Sequence, residues 1–148
     1  MAKASIEFPF PPKRFYSGPD VPLRTIRRYA RAIARQFHPD KIILFGSHAY
    51  GAPDADSDVD LLVIMPAWSK LSKAVQIRTA LAAPFPIDLI VRTPDEMRWR
   101  LVEGDTFHTE ITSKGKVLSE KGDARVGKKS RSRLPRREKA RANQAARA

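Results

Sequence analysis

The chain has 148 residues, about the size of one domain, and it contains no cysteine. Disulfides, cysteine-liganded zinc sites and thiol nucleophiles are therefore excluded, and the composition suits a reducing compartment such as the cytoplasm. The formal net charge is +12, but residues 121–148 alone carry 11 Lys and Arg against 2 acidic residues, a net of +9. The basic charge thus belongs mainly to one end of the chain.

Residues 1–20 contain four prolines and four aromatic residues, which predicts an extended, irregular leader. Its aromatic side chains are expected to dock either on the body of the protein or on a partner. This segment lacks the apolar stretch of a signal peptide, and no apolar run in the chain approaches the ~18 residues of a membrane span. We therefore expect a cytoplasmic protein without membrane contact.

A helix is predicted from about Val21, because apolar residues recur at three- and four-residue spacing and form one stripe: Leu23, Ile26, Ala30, Ile33 and Phe37. Five arginines occupy its other faces: Arg24, Arg27, Arg28, Arg31 and Arg35. Either a solvated surface or a binding surface for an acidic partner accounts for them. His38-Pro39 ends the helix, since the residue before a proline avoids the helical conformation.

The middle of the chain predicts strands and helices in alternation. Apolar segments predict three strands, over residues 41–45, 58–64 and 86–91. Helices are predicted over residues 69–83, 93–101 and 105–113, while residues 48–57 form a loop and residues 116–118 a short apolar piece. The strands are apolar enough to be covered by helices, so the fold class is α/β, with a small mixed β-sheet packed with helices.

The chain end from residue 121 has only Val126 and Leu134 as sizeable apolar residues. Such a segment cannot bury enough surface to offset the entropy of ordering, so it is predicted to be disordered. The expected organisation is a leader over residues 1–20, a folded body over residues 21–120 and a basic tail over residues 121–148.

Two aspartates, Asp58 and Asp60, lie in the second predicted strand, where alternation places both side chains on the same face. Such a pair repels unless it meets solvent or a cation. The third predicted strand carries Asp88 near its start. If these strands are neighbours, the three carboxylates converge on one patch, and all-oxygen ligands suit Mg²⁺ or Mn²⁺.

A glycine–serine pair, Gly46-Ser47, directly follows the first predicted strand. The glycine lets the backbone approach a ligand closely, and the serine hydroxyl with the following N–H groups is able to hold phosphate oxygens. Gly51 gives the connecting loop a second flexible point. Divalent metals beside a phosphate cradle are the components that nucleotidyl transfer requires.

Together these residues resemble the pattern of the DNA polymerase β-like nucleotidyltransferase superfamily. That pattern is Gly-Ser, ten residues, Asp-x-Asp and a third Asp on a later strand, and the chain matches it without a gap. More closely, KIILFGSHAYGAPDADSDVDLLVI resembles the minimal nucleotidyltransferases, an MNT antitoxin-like group. The resemblance covers roughly residues 22–120, and it does not include the leader or the basic tail.

The resemblance implies that Asp58 and Asp60 ligate catalytic Mg²⁺, with two ions expected. It also implies that Asp88 completes one metal site and helps to deprotonate the acceptor hydroxyl, while Gly46 and Ser47 hold the β- and γ-phosphates of the incoming nucleotide. One departure concerns Tyr50, since the family commonly has an arginine immediately before the second glycine. Any phosphate contact made by that arginine is lost or replaced here.

For function, the resemblance implies an antitoxin that transfers AMP from ATP onto a tyrosine of a HEPN-type toxin. The acceptor is expected to come from another molecule or subunit, because the chain has no room for an acceptor-binding domain. The alternative is a nucleotidyltransferase or binding protein that acts on RNA, with the basic tail as a non-specific RNA or DNA anchor. A catalytically idle binding module is the third interpretation, which the intact carboxylates disfavour.

Other polar and aromatic residues receive structural interpretations. Asp54 and Asp56 are expected in a solvated turn. The three histidines, His38, His48 and His108, lack a spacing suited to metal binding and are expected to be structural or exposed. Trp68 and Trp99 are expected to be packing residues, and Arg92 is considered as a phosphate contact.

Overall fold

A computed structural model of the chain describes residues 14–122. The predicted leader up to residue 13 and the predicted tail from residue 123 lie outside the described residues. In chain order, the helices and strands are α1 (Leu23–Phe37), β1 (Lys41–Phe45), α2 (Ser47–Tyr50), β2 (Val59–Ile64), α3 (Lys70–Ala80), β3 (Ile87–Arg92), α4 (Pro94–Val102), α5 (Thr106–Lys114) and β4 (Lys116–Glu120). A short 3₁₀ turn, Gly18–Asp20, precedes α1.

The four strands form one mixed sheet in the order β3-β2-β1-β4. Strand β1 is antiparallel to both β2 and β4, and β2 is parallel to β3. The α/β fold class with a small mixed sheet is therefore confirmed. The parallel pair matters most for the site, because it places the starts of β2 and β3 at the same edge of the sheet.

Both faces of the sheet are covered by helices. On one face, Ile42, Leu44, Leu61 and Val63 pack in a large cluster with residues of α1 and α3. On the other face, a smaller cluster joins the sheet to α4 and α5: Ile43, Phe45, Leu62, Ile64, Met97 and Ile111. Because side chains alternate along a strand, Asp60 lies on the same face as Leu62 and Ile64, the α4/α5 face.

Side-chain caps set the starts of three helices. Ser69 accepts from the Ser72 amide at the start of α3, and Thr93 accepts from the Glu96 amide at the start of α4. At the start of α5, Asp105 accepts from the His108 amide. Each bond satisfies a backbone donor that the first helical turn leaves free, so these polar residues define the helix boundaries.

The predicted elements are present with boundary shifts, and β4 is an addition to the three predicted strands. Only residues 116–118 suggested an apolar piece there, whereas Lys116–Glu120 pairs along β1. The sequence signal was weak because Lys116, Val117 and Glu120 are exposed at the sheet edge. Likewise, the predicted loop after Gly46 begins with the one-turn helix α2.

The prediction that Trp68 and Trp99 are packing residues is wrong, because neither side chain is buried. Trp68 is fully exposed just before the cap of α3, and Trp99 is 56 % exposed on α4. The Arg100 guanidinium lies over the Trp99 ring, 5.1 Å from its centroid. Both tryptophans therefore belong to the surface.

Residues 14–20 of the predicted leader contact the body. The Tyr16 amide donates to the Pro84 carbonyl at 2.8 Å, and the Tyr16 side chain packs against the larger core cluster. Gly18 is buried, with φ +54°, against the backbone of Asp54 and Ala55. Phe15 remains exposed. In residues 14–122, no helix is long and apolar enough to cross a membrane.

Candidate active site

Two of the predicted site carboxylates, Asp60 and Asp88, are register partners on the parallel strands β2 and β3. Asp58 lies two residues before Asp60, immediately ahead of β2, on the same side of the chain. The second and third predicted strands are thus neighbours, which is the condition that the convergence of the carboxylates required. Asp58 and Asp88 are exposed, and Asp60 is partly buried.

Gly46 brings its backbone directly against Asp60. It follows Phe45, the partner of Asp60 across the antiparallel β1–β2 pair, and it has φ +76°, a conformation that favours glycine. A Cβ atom at Gly46 would lie 2.1 Å from Oδ2 of Asp60. The glycine therefore creates the space that the Asp60 carboxylate occupies.

The ionised form of the Asp60 carboxyl group is electrostatically disfavoured in the folded protein. Burial raises its pKa to about 6, and the negative charges of Asp88 and Asp58 add to this effect, while His48 acts in the opposite direction. The three aspartates are thus close enough to influence one another. A cation placed among them would relieve the repulsion.

The loop before β2 is a hydrogen-bonded turn. Asp54 accepts from the amide of Asp56 and from the hydroxyl of Ser57, and the Asp54 amide donates to the same hydroxyl. The Asp54 and Asp56 side chains are exposed. The structure agrees with a solvated turn at these two residues, and the turn delivers the chain to Asp58.

His48 has a place in this site that the sequence alone did not reveal. Its Nδ1 lies 3.1 Å from the Asp58 carbonyl oxygen, and its Nε2 lies 2.9 Å from the Gly18 carbonyl oxygen. Carbonyl oxygens only accept hydrogen bonds, so the ring nitrogen that carries the proton is the donor to its carbonyl. In the sequence, only the position of His48 beside Gly46-Ser47 indicated a role in the site, because its partner Gly18 lies 30 residues away in the chain.

Ser47 begins the one-turn helix α2, which the Gly46 carbonyl stabilises by accepting from the amides of Ala49 and Tyr50. Gly51 ends it, and a Cβ atom there would lie 3.1 Å from the Ser47 Cα. Tyr50, which replaces the usual arginine, is 41 % exposed. The glycine–serine turn therefore stands beside the Asp60 carboxylate, with Tyr50 open to solvent.

The carboxylates fit a hard divalent cation chemically. They supply only oxygen donors, and the raised pKa of Asp60 reflects its burial together with the negative charges of Asp88 and Asp58. In the described part of the chain, no three or more His, Asp or Glu side chains are already assembled as a metal-holding group. The three carboxylates that would bind the cation lie at the starts of β2 and β3, and their oxygens do not yet converge on one point.

A second polar cluster lies on the α4/α5 side and ties four elements together. Glu96 accepts from Lys70 at 2.5 Å and from Arg100 at 2.8 Å, and Arg100 also donates to Asp105. The His108 Nδ1 bonds to Asp105 at 3.0 Å.

Arg92 belongs to the same cluster. Its Nε donates to the His108 Nε2 at 3.2 Å and lies 3.7 Å from a Glu96 oxygen. Its Nη1 donates to the Val91 carbonyl. The guanidinium considered as a phosphate contact is thus engaged within the protein, and His108 is a buried structural residue.

Comparison with known proteins agrees with this geometry. No curated protein matches the chain significantly. A family model described as the nucleotidyltransferase domain matches residues 26–116, which includes all five predicted site residues and the strands β1, β2 and β3. The chain therefore belongs to the nucleotidyltransferase domain family of the polymerase β-like superfamily, consistent with a minimal nucleotidyltransferase.

Proposed function

We propose that the protein is a Mg²⁺-dependent enzyme that transfers AMP from ATP to a hydroxyl group of a partner protein. The observation that carries this proposal is the register pairing of Asp60 with Asp88, with Gly46 packed against the Asp60 carboxylate. Asp58, Asp60 and Asp88 would hold the metal, and Gly46 and Ser47 would hold the β- and γ-phosphates. Bound Mg²⁺ would neutralise phosphate charge and lower the pKa of the attacking hydroxyl.

The residues of the chain would position ATP and the acceptor hydroxyl and would remove the proton of that hydroxyl. The acceptor oxygen forms a bond to the α-phosphorus while the bond to the bridging oxygen breaks, and pyrophosphate leaves with that electron pair. Asp88 is exposed at the start of β3, so it is accessible to the acceptor and takes the hydroxyl proton. Asp60, packed behind Gly46, is the more constrained carboxylate and is assigned to metal binding only.

A protein acceptor is supported by exposed apolar side chains on and before α3. Trp68 is fully exposed, Leu71 is 78 % exposed and Val75 is 55 % exposed. Exposed apolar residues that cluster in this way are typical of protein-binding surfaces. The proposed partner is a HEPN-type toxin that presents a tyrosine, and the enzyme would act as its antitoxin in the cytoplasm.

The test is transfer of label from α-labelled ATP to a co-purified HEPN-type partner in the presence of Mg²⁺. We expect Asp60→Asn to reduce labelling by about 100-fold or more, since it removes a metal ligand. Asp56→Asn is the matched control, because Asp56 lies in the same region but in the exposed turn. Equal labelling by wild type, Asp58→Ala and Asp60→Asn would contradict the proposed function.

Action on RNA is the second candidate, and the exposed arginines on α1 favour it. Arg24, Arg27 and Arg31 are exposed along that helix, and residues 121–148 add a net charge of +9. Such a distribution predicts binding to phosphate backbones that weakens with salt. Filter binding of RNA at two salt concentrations, with and without residues 121–148, tests this candidate, and binding that survives the deletion would assign it to α1 rather than the tail.

A further inference from the structure

The N-terminal segment, residues 14–20, is held against the body at three points. The Tyr16 amide donates to the Pro84 carbonyl, close to the start of β3. Gly18 packs against the turn before β2, where a Cβ atom would lie 2.8 Å from the Asp54 carbonyl oxygen. The Gly18 carbonyl accepts from His48. This segment therefore links the approaches to both strands that carry the site carboxylates.

His48 joins this segment to the site. Its ring spans the Gly18 carbonyl and the Asp58 carbonyl, at 2.9 Å and 3.1 Å. The residue stands one position after Ser47, so it is part of the glycine–serine turn. Asp58 itself lies between the exposed turn at residues 54–57 and Val59, the first residue of β2, and His48 contacts the Asp58 carbonyl at this junction.

The family match begins at residue 26, so the N-terminal segment lies outside it. The contacts of Gly18 and Tyr16 nevertheless reach the turn before β2 and the segment before β3, close to the candidate site carboxylates. Nothing in the family pattern assigns a task to this segment or to His48.

We propose that His48 is a positioning residue, whose ring bridges the Gly18 and Asp58 carbonyls and so uses residues 14–20 to fix Asp58 beside Gly46-Ser47. This inference rests on the proposed function, because it assigns the segment a task in nucleotidyl transfer. The α2 turn is held by its own bonds to the Gly46 carbonyl. Loss of His48 is therefore expected to displace Asp58, whereas the glycine–serine turn is expected to stay largely in place.

The test compares His48→Phe, which keeps a planar ring without donors, with His48→Arg, which supplies several donors and no acceptor. In His48→Phe we expect amide hydrogen exchange to become about tenfold faster in residues 14–20 and 54–58. We also expect kcat for nucleotide transfer to fall about 10- to 100-fold, as is typical when a residue that orients a metal ligand is lost. KM for ATP is expected to change less than about threefold.

His48→Arg is expected to restore both the slow exchange and most of kcat, while Asp56→Asn controls for a substitution in the neighbouring turn. Gly18→Ala, which pushes the segment away from Asp54, is expected to reproduce the His48→Phe exchange pattern and covers the case in which His48→Phe does not fold.

The proposal is overturned if His48→Phe exchanges and turns over like wild type, or if His48→Arg folds but fails to rescue. If the wild-type protein transfers no nucleotide, this result contradicts the proposed function but leaves the structural role of His48 open to the exchange test. In that case the exchange measurements still decide whether His48 ties the two segments together.

Discussion

Gly46 stands so close to Asp60 that the two residues act as one unit. The positive φ of Gly46 places its backbone against the Asp60 carboxylate, and the register pairing places Asp88 on the neighbouring strand. A substitution at Gly46 therefore changes the shape of the site, and a substitution at Asp60 is able to change its charge as well.

Gly46→Ala is expected to reduce nucleotide transfer about 100-fold, because the new Cβ atom displaces the Asp60 carboxylate. The backbone strain at φ +76° adds a loss of about 1 kcal/mol in the free energy of unfolding. Gly104→Ala is the matched control, since Gly104 has φ +82° and a Cβ atom there would meet no other atom within 4 Å. Steady-state transfer and thermal unfolding of both variants measure the difference, and equal transfer by both would contradict the steric role.

Asp60→Asn is expected to stabilise the metal-free protein at neutral pH. The folded state holds the Asp60 proton more tightly than the unfolded state, because burial and the neighbouring aspartates raise the pKa from 3.8 to about 6. Stability therefore falls as pH rises from about 4 to about 6, and the loss persists above that range. Allowing for solvent screening, the gain in Asp60→Asn is about 1 kcal/mol at pH 7.

Urea unfolding of wild type and Asp60→Asn between pH 4 and pH 8 measures this effect. The two stability curves should approach each other at low pH and separate toward neutral pH. A constant offset across the range would show that the Asp60 charge does not destabilise the folded state.

Helices α3, α4 and α5 are tied to β3 through Glu96, a nearly buried carboxylate at the start of α4. Burial opposes its ionisation, but hydrogen bonds from Lys70 and Arg100 and the charge of Arg92 outweigh burial and lower its pKa. The Asp105 carboxyl extends this cluster into α5, and its pKa is lowered mainly by hydrogen bonds from the His108 amide and ring.

Glu96→Gln is expected to destabilise the protein by about 1–2 kcal/mol at neutral pH, since it removes charge-assisted bonds to Lys70 and Arg100. The lowered pKa means that the ionised form stabilises the fold above the unfolded-state pKa, near 4.5, and that this contribution is lost as pH falls below it. The difference between wild type and variant should therefore shrink in acid. Thermal unfolding at pH 7 and pH 3 measures it, with exposed Glu110→Gln on α5 as the control.

Strand β4 depends on the small volume of Gly115. A Cβ atom at that position would lie 2.5 Å from the Ile111 carbonyl oxygen and 2.6 Å from the Ile43 Cγ2. Gly115→Ala is expected to cost about 1–3 kcal/mol in the free energy of unfolding, because the end of α5 and β1 would have to separate. Denaturant unfolding measures the cost, and a stability equal to wild type would mean that the turn into β4 tolerates the displacement.

Within residues 14–122, several large apolar side chains on and before α3 are exposed. Trp68, Leu71 and Val75 are exposed around α3, and β3 ends the sheet beside that helix. A groove of about 330 Å³ is lined by residues of α3 and of β3, which pack against each other. These features favour contact with a protein partner beside β3, the edge strand that carries Asp88.

Substitution of Trp68 or Leu71 by serine is expected to leave the free energy of unfolding within about 0.5 kcal/mol of wild type, because both side chains are exposed. In the proposed reaction, KM for the protein acceptor should rise about tenfold or more while KM for ATP stays constant, since buried aromatic anchors dominate interfaces. Transfer assays at varied acceptor concentration measure this, with Val102→Ser on α4 as an exposed control. An unchanged KM for the acceptor would exclude α3 as the docking surface.

The sequence by itself indicated most of the helices and strands and the candidate site residues. Local rules predict the strands, the capped helices and the same-face placement of Asp58 and Asp60, because each depends on neighbours only a few residues away. The spacing from Gly46-Ser47 to Asp58 was sufficient to indicate the family that the comparison then confirmed.

Only the tertiary structure decided which distant segments meet. The edge strand β4 escaped prediction because its side chains are mostly exposed and its partner β1 lies about half the chain away. The packing of Trp68 and Trp99 was wrongly predicted because hydrophobicity does not show where the chain has a neighbour to pack against. The pairing of Asp60 with Asp88 and the His48 bond to Gly18 likewise depend on the packed fold, since hydrogen bonds and carboxylate repulsion act across space rather than along the chain.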